Sequence, residues 1–115
     1  MYKVAFYEDR KKECPAIEFL EDIQPKIAAK IAKWIEKLKQ EGPNLPRPYA
    51  DIVRGKIREL RVGFGSNEYR FLYFFFGKTI VITHGFLKKT QRVPEDEIER
   101  AGRYMKDFLQ RNKGG

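Results

Sequence analysis

The stretch from Tyr69 to Phe86, YRFLYFFFGKTIVITHGF, constrains the fold more than any other part of the chain. It is apolar at nearly every position on either side of Gly77-Lys78, a two-residue turn of the Gly-X kind that suits a tight antiparallel hairpin. A strand with one solvated face alternates apolar and polar residues, so strands apolar at both parities are central and covered on both faces. The hairpin therefore predicts the middle of a sheet, with a helix on one side and a partner or concave face on the other.

The remaining elements fit around it. Tyr2 to Tyr7 alternates, with Tyr2, Val4 and Phe6 on one side, and reads as a first strand. Asp9 to Glu13 is a charged connection, Pro15 opens a short helix over Ala16 to Asp22, and Pro25 occupies the first turn of a longer helix running to about Gln40. Ile27, Ile31, Ile35 and Leu38 form its buried stripe, widened by Ala28, Ala32 and Trp34. Gly42 and Pro43 stop it. Gly42 to Gly55, with Pro43, Pro46 and Pro48, reads as a loop because proline breaks helices and central strands alike. Lys56 to Val62 reads as a strand, and Gly63 to Asn67 as a turn-rich connection to Tyr69. Pro94 begins a last helix with Glu95, Asp96 and Glu97 in its first turn and Ile98, Ala101, Met105, Phe108 and Leu109 along one stripe. The tail from Asn112 to Gly115 reads as frayed. The expected fold is a single compact α+β domain over residues 1–115, β-α-α-β-β-β-α, with a mostly antiparallel sheet and helices packed on one face.

Composition limits the function. No apolar run approaches the roughly 20 residues of a spanning helix, and the start lacks the charged-then-apolar order of a signal peptide, so a cytoplasmic protein away from membranes is expected. One cysteine, Cys14, and one histidine, His84, are a poor stock for disulfides or a metal site, and no cofactor is expected. The net charge of +8 is concentrated: Arg54, Lys56, Arg58, Arg61, Arg70, Lys78, Lys88, Lys89 and Arg92 face only Glu59 and Glu68 within their stretch, an excess of seven. A localised polyanion-binding face accounts for this better than general solubility.

Four fragments carry a resemblance. Ile57-Arg58-Glu59-Leu60-Arg61, Tyr69-Arg70-Phe71-Leu72-Tyr73, His84-Gly85-Phe86-Leu87-Lys88-Lys89-Thr90, and Pro94 with Glu97-Ile98 and Ala101 resemble, in order and spacing, the ELR, YR-hydrophobic-x-Y, HGF-x-KKT and P-x-x-E-I-x-x-A pattern of the RelE/ParE toxin superfamily, in its HigB-like, phage-derived branch. The likeness covers essentially the whole chain. It implies a RelE-like fold and a toxin of a type II toxin-antitoxin module, with a small helix-turn-helix antitoxin as partner. RelE- and HigB-like members cut mRNA on the ribosome, whereas ParE-like members act on DNA gyrase, and a non-catalytic nucleic-acid-binding relative is a third possibility that the fold does not separate.

Metal-independent RNA cleavage uses the neighbouring 2′-hydroxyl as nucleophile, so the protein must align it, move protons and stabilise charge on the phosphorane-like transition state. Arg70 is the first candidate: a charge inside an apolar strand requires an anion to meet it, either a substrate phosphate or Glu59 on the neighbouring strand. The resemblance implies an active-site arginine at the same position. Strand alternation places Glu59 and Arg61 on one face, where both can converge with Arg70. Arg61 would contact phosphate, and Glu59 would accept a proton or orient the arginines. Lys88 and Lys89 match the family's lysine pair, with either one pointing inward. His84, at the end of its strand, is either an acid-base group or a hydrogen-bonded core residue. Arg54, Lys56, Arg58 and Arg92 are expected to flank the groove as RNA-backbone contacts. The stripe Lys26, Lys30, Lys33 and Lys37 reads as a solvated face or as an RNA or ribosome contact. Two departures stand out: no tyrosine occurs between Gln91 and Glu99, where some RelE-like toxins carry a catalytic one, and Ile57 and Glu59 stand where some relatives have lysines.

Overall fold

The computed structural model describes residues 1–113, within which the chain forms β1 (Lys3–Phe6), α1 (Pro15–Asp22), α2 (Pro25–Glu41), a 3-10 turn (Gly42–Asn44), β2 (Ala50–Arg54), β3 (Ile57–Phe64), β4 (Asn67–Phe76), β5 (Thr79–Lys88) and α3 (Glu95–Arg111). It is an α+β domain, as expected. The strands make one sheet in the order β1-β5-β4-β3-β2, so β5 and β4 lie inside it as their two-sided apolar pattern requires. β1 runs parallel to β5, and the other neighbours are antiparallel.

Two expectations are corrected. The sheet has a fifth strand, β2, inside the segment read as a loop. Pro43, Pro46 and Pro48 all precede Ala50, and an edge strand needs only one ladder, here to β3. The helices, moreover, do not share one face. α1 and α2 cover the face carrying Leu60, Val62, Tyr69, Phe71, Tyr73, Ile80 and Ile82. α3 covers the opposite face through Ala101, Met105, Tyr104 and Phe108, packed on Ile57, Leu72, Phe74, Val81 and Phe86. Both apolar faces of the central hairpin are thereby removed from water, and this offsets the cost of ordering the chain.

The strands also outrun their predicted ends. β3 and β4 meet in a hairpin whose last pair, Phe64 and Asn67, leaves only Gly65-Ser66 as the turn, with Gly65 at φ 61°. β5 continues to Lys88, two residues past Phe86, and holds Gly85 within the strand. Gly85 faces Phe71 across the ladder, and a Cβ there would come within 2.4 Å of the Phe71 ring. Of the predicted apolar stripes, Ile27, Ile31, Ile35 and Leu38 are buried, while Ala32 and Leu109 are exposed. Asn112 closes α3 by donating its backbone N–H to the Phe108 carbonyl at 3.0 Å, and Lys113 follows in a turn; residues 114–115 of the predicted frayed tail lie outside the described residues. Among the described residues no helix is long and apolar enough to cross a membrane.

Candidate functional site

On the face that α3 covers, the sheet turns polar near the helix N-terminus. The register sets this out: Arg61 on β3 lies directly opposite Arg70 on β4, Glu59 opposite Leu72, and Glu68 on β4 opposite Lys88 on β5. Side chains at directly opposed positions share a face, so Glu59, Arg61, Glu68, Arg70 and Lys88 rise from one side of the sheet. Two arginines in direct opposition repel each other unless anions intervene. Here they do.

Glu59 places Oε1 2.7 Å from Nε of Arg70 and Oε2 3.3 Å from Nη2 of Arg61. Glu68 accepts a 2.7 Å hydrogen bond from Nη2 of Arg70. On the other side Asp51 of β2 lies 3.3 Å from Nη2 of Arg61 and 3.0 Å from Nε of Arg47. Charges of alternating sign thus cross four strands from Arg47 through Asp51, Arg61, Glu59, Arg70 and Glu68 to the neighbourhood of Lys88. The arrangement answers both sequence readings of Arg70: it pairs with Glu59, and it belongs to a polar site.

The middle of this series is buried. The side chains of Arg70 and Glu59 are 4% and 6% exposed, so each charge depends on the other for compensation. Their contact is an ion pair whose N–H does not point at the oxygen: Nε of Arg70 and Oε1 of Glu59, like Nε of Arg61, have no directed hydrogen-bond partner among the described residues. At the open end, the hydrogen bond and charge of Arg70, helped by the charges of Lys88 and Arg61, hold the Glu68 carboxyl below the usual carboxylate range. Asp51 is lowered too, first by the backbone N–H of Ile52 and then by Arg47 and Arg61.

Two depressions open onto this face and share Lys88 and Gln91. One, about 370 Å³, is lined by Ser66, Glu68, Lys88, Lys89, Thr90 and Gln91. The other, about 280 Å³, runs past Glu59, Arg61 and Lys88 to Arg54, Arg92 and Glu95. Of the two candidate lysines, Lys88 lies on the site face and borders both depressions, while Lys89 is exposed and borders one. Arg54 reaches the rim but is engaged there, donating Nη2 to Oε2 of Glu95 at 2.9 Å in the first turn of α3.

Three predicted site residues fall elsewhere. Arg58 lies opposite Tyr73, on the face of α1 and α2, with its guanidinium 5.4 Å over the ring of Phe75. It shares with Lys56 a separate depression lined also by Gly55 and Phe75, so neither residue flanks the groove. His84 sits fully buried beneath α3, its Nδ1 3.0 Å from the Thr83 hydroxyl and its Nε2 3.0 Å from Oε1 of Glu97. Burial, with the charges of Arg100 and Arg103, pushes its pKa down to about 3, which leaves a neutral core imidazole out of reach of the groove. Asp51 and Gln91, conversely, were not singled out from the sequence. Asp51 follows three prolines and is recognisable only once β2 pairs with β3; nothing in the local sequence marks Gln91. Of the lysine stripe on α2, Lys30 donates to the Gly63 carbonyl and lies 5.8 Å over the Phe64 ring, while Lys26, Lys33 and Lys37 are exposed.

The groove can bind an oxyanion and stabilise developing negative charge. Among the described residues no three of His, Cys, Asp or Glu are gathered as metal ligands would be. The family described as Phage derived protein Gp49-like (DUF891) matches residues 18–106, from within α1 to near the end of α3. No curated protein matches the chain.

Proposed function

The chain belongs to this Gp49-like family, a family of RelE/ParE-like toxins, and from that premise we propose that it is the HigB-like toxin of a type II toxin-antitoxin module, a ribosome-dependent endoribonuclease that cuts mRNA and stops translation. The observation that supports this reading is the buried Arg70–Glu59 pair extended by Arg61: two guanidinium groups held in fixed directions, Arg61 lining one depression of the basic face and Arg70 bonded to Glu68, which lines the other. Preorganised cations of this kind act on charge that develops in a transition state, and they need no reorganisation when it forms.

In this reading the 2′-hydroxyl attacks the adjacent phosphorus and gives its proton to water, the P–O5′ bond breaks, the departing 5′-oxygen takes a proton from water, and a 2′,3′-cyclic phosphate and a 5′-hydroxyl result. Arg61 and Lys88 hold the phosphate, and Arg70 stabilises the phosphorane. Glu59, with each oxygen against a different arginine, orients both and takes no proton. Arg54, Lys89 and Arg92 guide the RNA backbone along the rim, and the ribosome aligns the hydroxyl with its leaving group. A small helix-turn-helix antitoxin silences the toxin by covering the basic groove.

Induced expression with mapping of mRNA ends tests this reading. Codon-associated cuts are expected, lost in Arg70→Ala with the fold retained. DNA breaks with intact mRNA would replace it by a ParE-like action on gyrase. Growth arrest by a well-folded Arg70→Ala protein would remove Arg70 from the chemistry.

A further inference from the structure

Two carboxylates hold Arg70, and they hold it differently. Glu59 is 6% exposed and locked from its other oxygen by Arg61. Glu68 is 60% exposed, and nothing else described binds its carboxylate. We propose that the Glu68 carboxylate occupies the oxyanion position of the groove, and that a phosphate group of the ligand displaces it.

The surroundings of that carboxylate are those of a phosphate site. Arg70 donates to it, Lys88 stands across the ladder, and Lys89, Ser66 and Thr90 line the same depression. A guanidinium 4% exposed is closed to solvent anions except where an exposed partner can leave it, and that partner is Glu68. Leaving is cheap for Glu68, because its carboxylate is exposed and water can replace the arginine's hydrogen bond. A phosphate then offers the guanidinium more acceptor oxygens and more charge than the carboxylate it replaces. Glu68 therefore acts as an internal competitor that raises the threshold for weaker anions, while Glu59 keeps Arg70 aimed when Glu68 swings out.

The site is proposed as a phosphate site in its own right; that the phosphate belongs to RNA rests on the function proposed above. Inorganic phosphate is the probe, titrated at constant ionic strength while the Nε–H resonance of Arg70 is followed by NMR. Glu68→Gln and Glu68→Ala are expected to bind it about three- to fivefold more tightly than the native chain, by removal of the competing ion pair. Glu59→Gln is expected to bind it more weakly, with thermal unfolding confirming that each variant is folded. Equal or weaker binding by both Glu68 variants, or no phosphate-dependent shift in any chain, would overturn the proposal. Tighter phosphate binding without mRNA cutting would leave the site standing and remove the ribonuclease; cutting with no gain at Glu68 would do the reverse.

Discussion

Nε of Arg70 lies 2.7 Å from Oε1 of Glu59, although the two residues are not partners in the sheet: Arg70 pairs with Arg61 and Glu59 with Leu72. The ion pair runs diagonally across the β3–β4 ladder, within reach of long side chains two positions apart. Among the described residues Glu59 alone touches both arginines, so it converts a repulsive Arg61–Arg70 opposition into a fixed, convergent pair.

Removing one member of a buried pair strands the other, at a cost of about 3–5 kcal/mol. Arg61 and Glu68 give partial compensation here, so Glu59→Leu and Arg70→Met are each expected at about 3 kcal/mol, the low end of that range. The double replacement is expected to cost clearly less than the sum. Urea denaturation of the four proteins checks it, and strict additivity would mean that the two side chains do not act as a unit.

Gly85 faces Phe71, and a methyl group there would sit 2.4 Å from a ring that is fully buried against Phe19 and the α1–α2 core. Gly85→Ala is expected to destabilise by about 1–3 kcal/mol through overpacking. Phe71→Leu in the same chain should recover part of that loss, measurable as a partial return of the thermal midpoint.

How far the sequence could be read follows from these residues. β4 and β5 were legible because a strand apolar at both parities has one place in a sheet. The same pattern demanded cover on both faces, yet the stripe on α3 states only that the helix is buried, not against which face. β2 escaped because five residues behind three prolines carry too short a pattern to outweigh them, and Asp51 escaped with it. Glu59, Arg61 and Arg70 were legible from parity alone. Arg58, one position from Glu59, was expected at the groove by nearness in sequence, although parity already placed it on the other face. His84 lies opposite Leu72, at a parity that the core claims.

That burial makes stability depend on pH. The ordinary imidazole value of about 6.5 falls to about 3 in the folded chain because burial removes hydration from the charged form. Between those values the unfolded chain carries the proton and the folded chain does not, so this group's contribution is complete above about 6.5 and is lost progressively as pH falls toward 3, by at most about 1.4 kcal/mol per pH unit. Glu97, whose carboxyl is raised by burial, works in the opposite sense above its ordinary range and softens the slope. His84→Gln is expected to be less stable at pH 7.5 but to lose less than the native chain on going to pH 5, read from urea midpoints. Parallel losses would mean that His84 titrates normally.

The two basic surfaces can be told apart by salt. Each phosphate contact on single-stranded RNA contributes about 0.7 to the slope of log affinity against log salt concentration. Lys89 and Arg92 are exposed and line the depressions over the Glu59–Arg61–Lys88 face, so Lys89→Ala and Arg92→Ala are each expected to lower that slope by about 0.7. Lys56→Ala and Arg58→Ala, on the Phe75 side of the sheet, are expected to leave it unchanged. Arg54 is the intermediate case: it lines the groove, but Glu95 already neutralises it, so its removal is expected to change the slope less than that of Arg92. Filter binding of a short unstructured RNA from low to physiological salt measures all five. Equal slope changes on the two surfaces would place the RNA path around the edge strand β2 instead of along the groove.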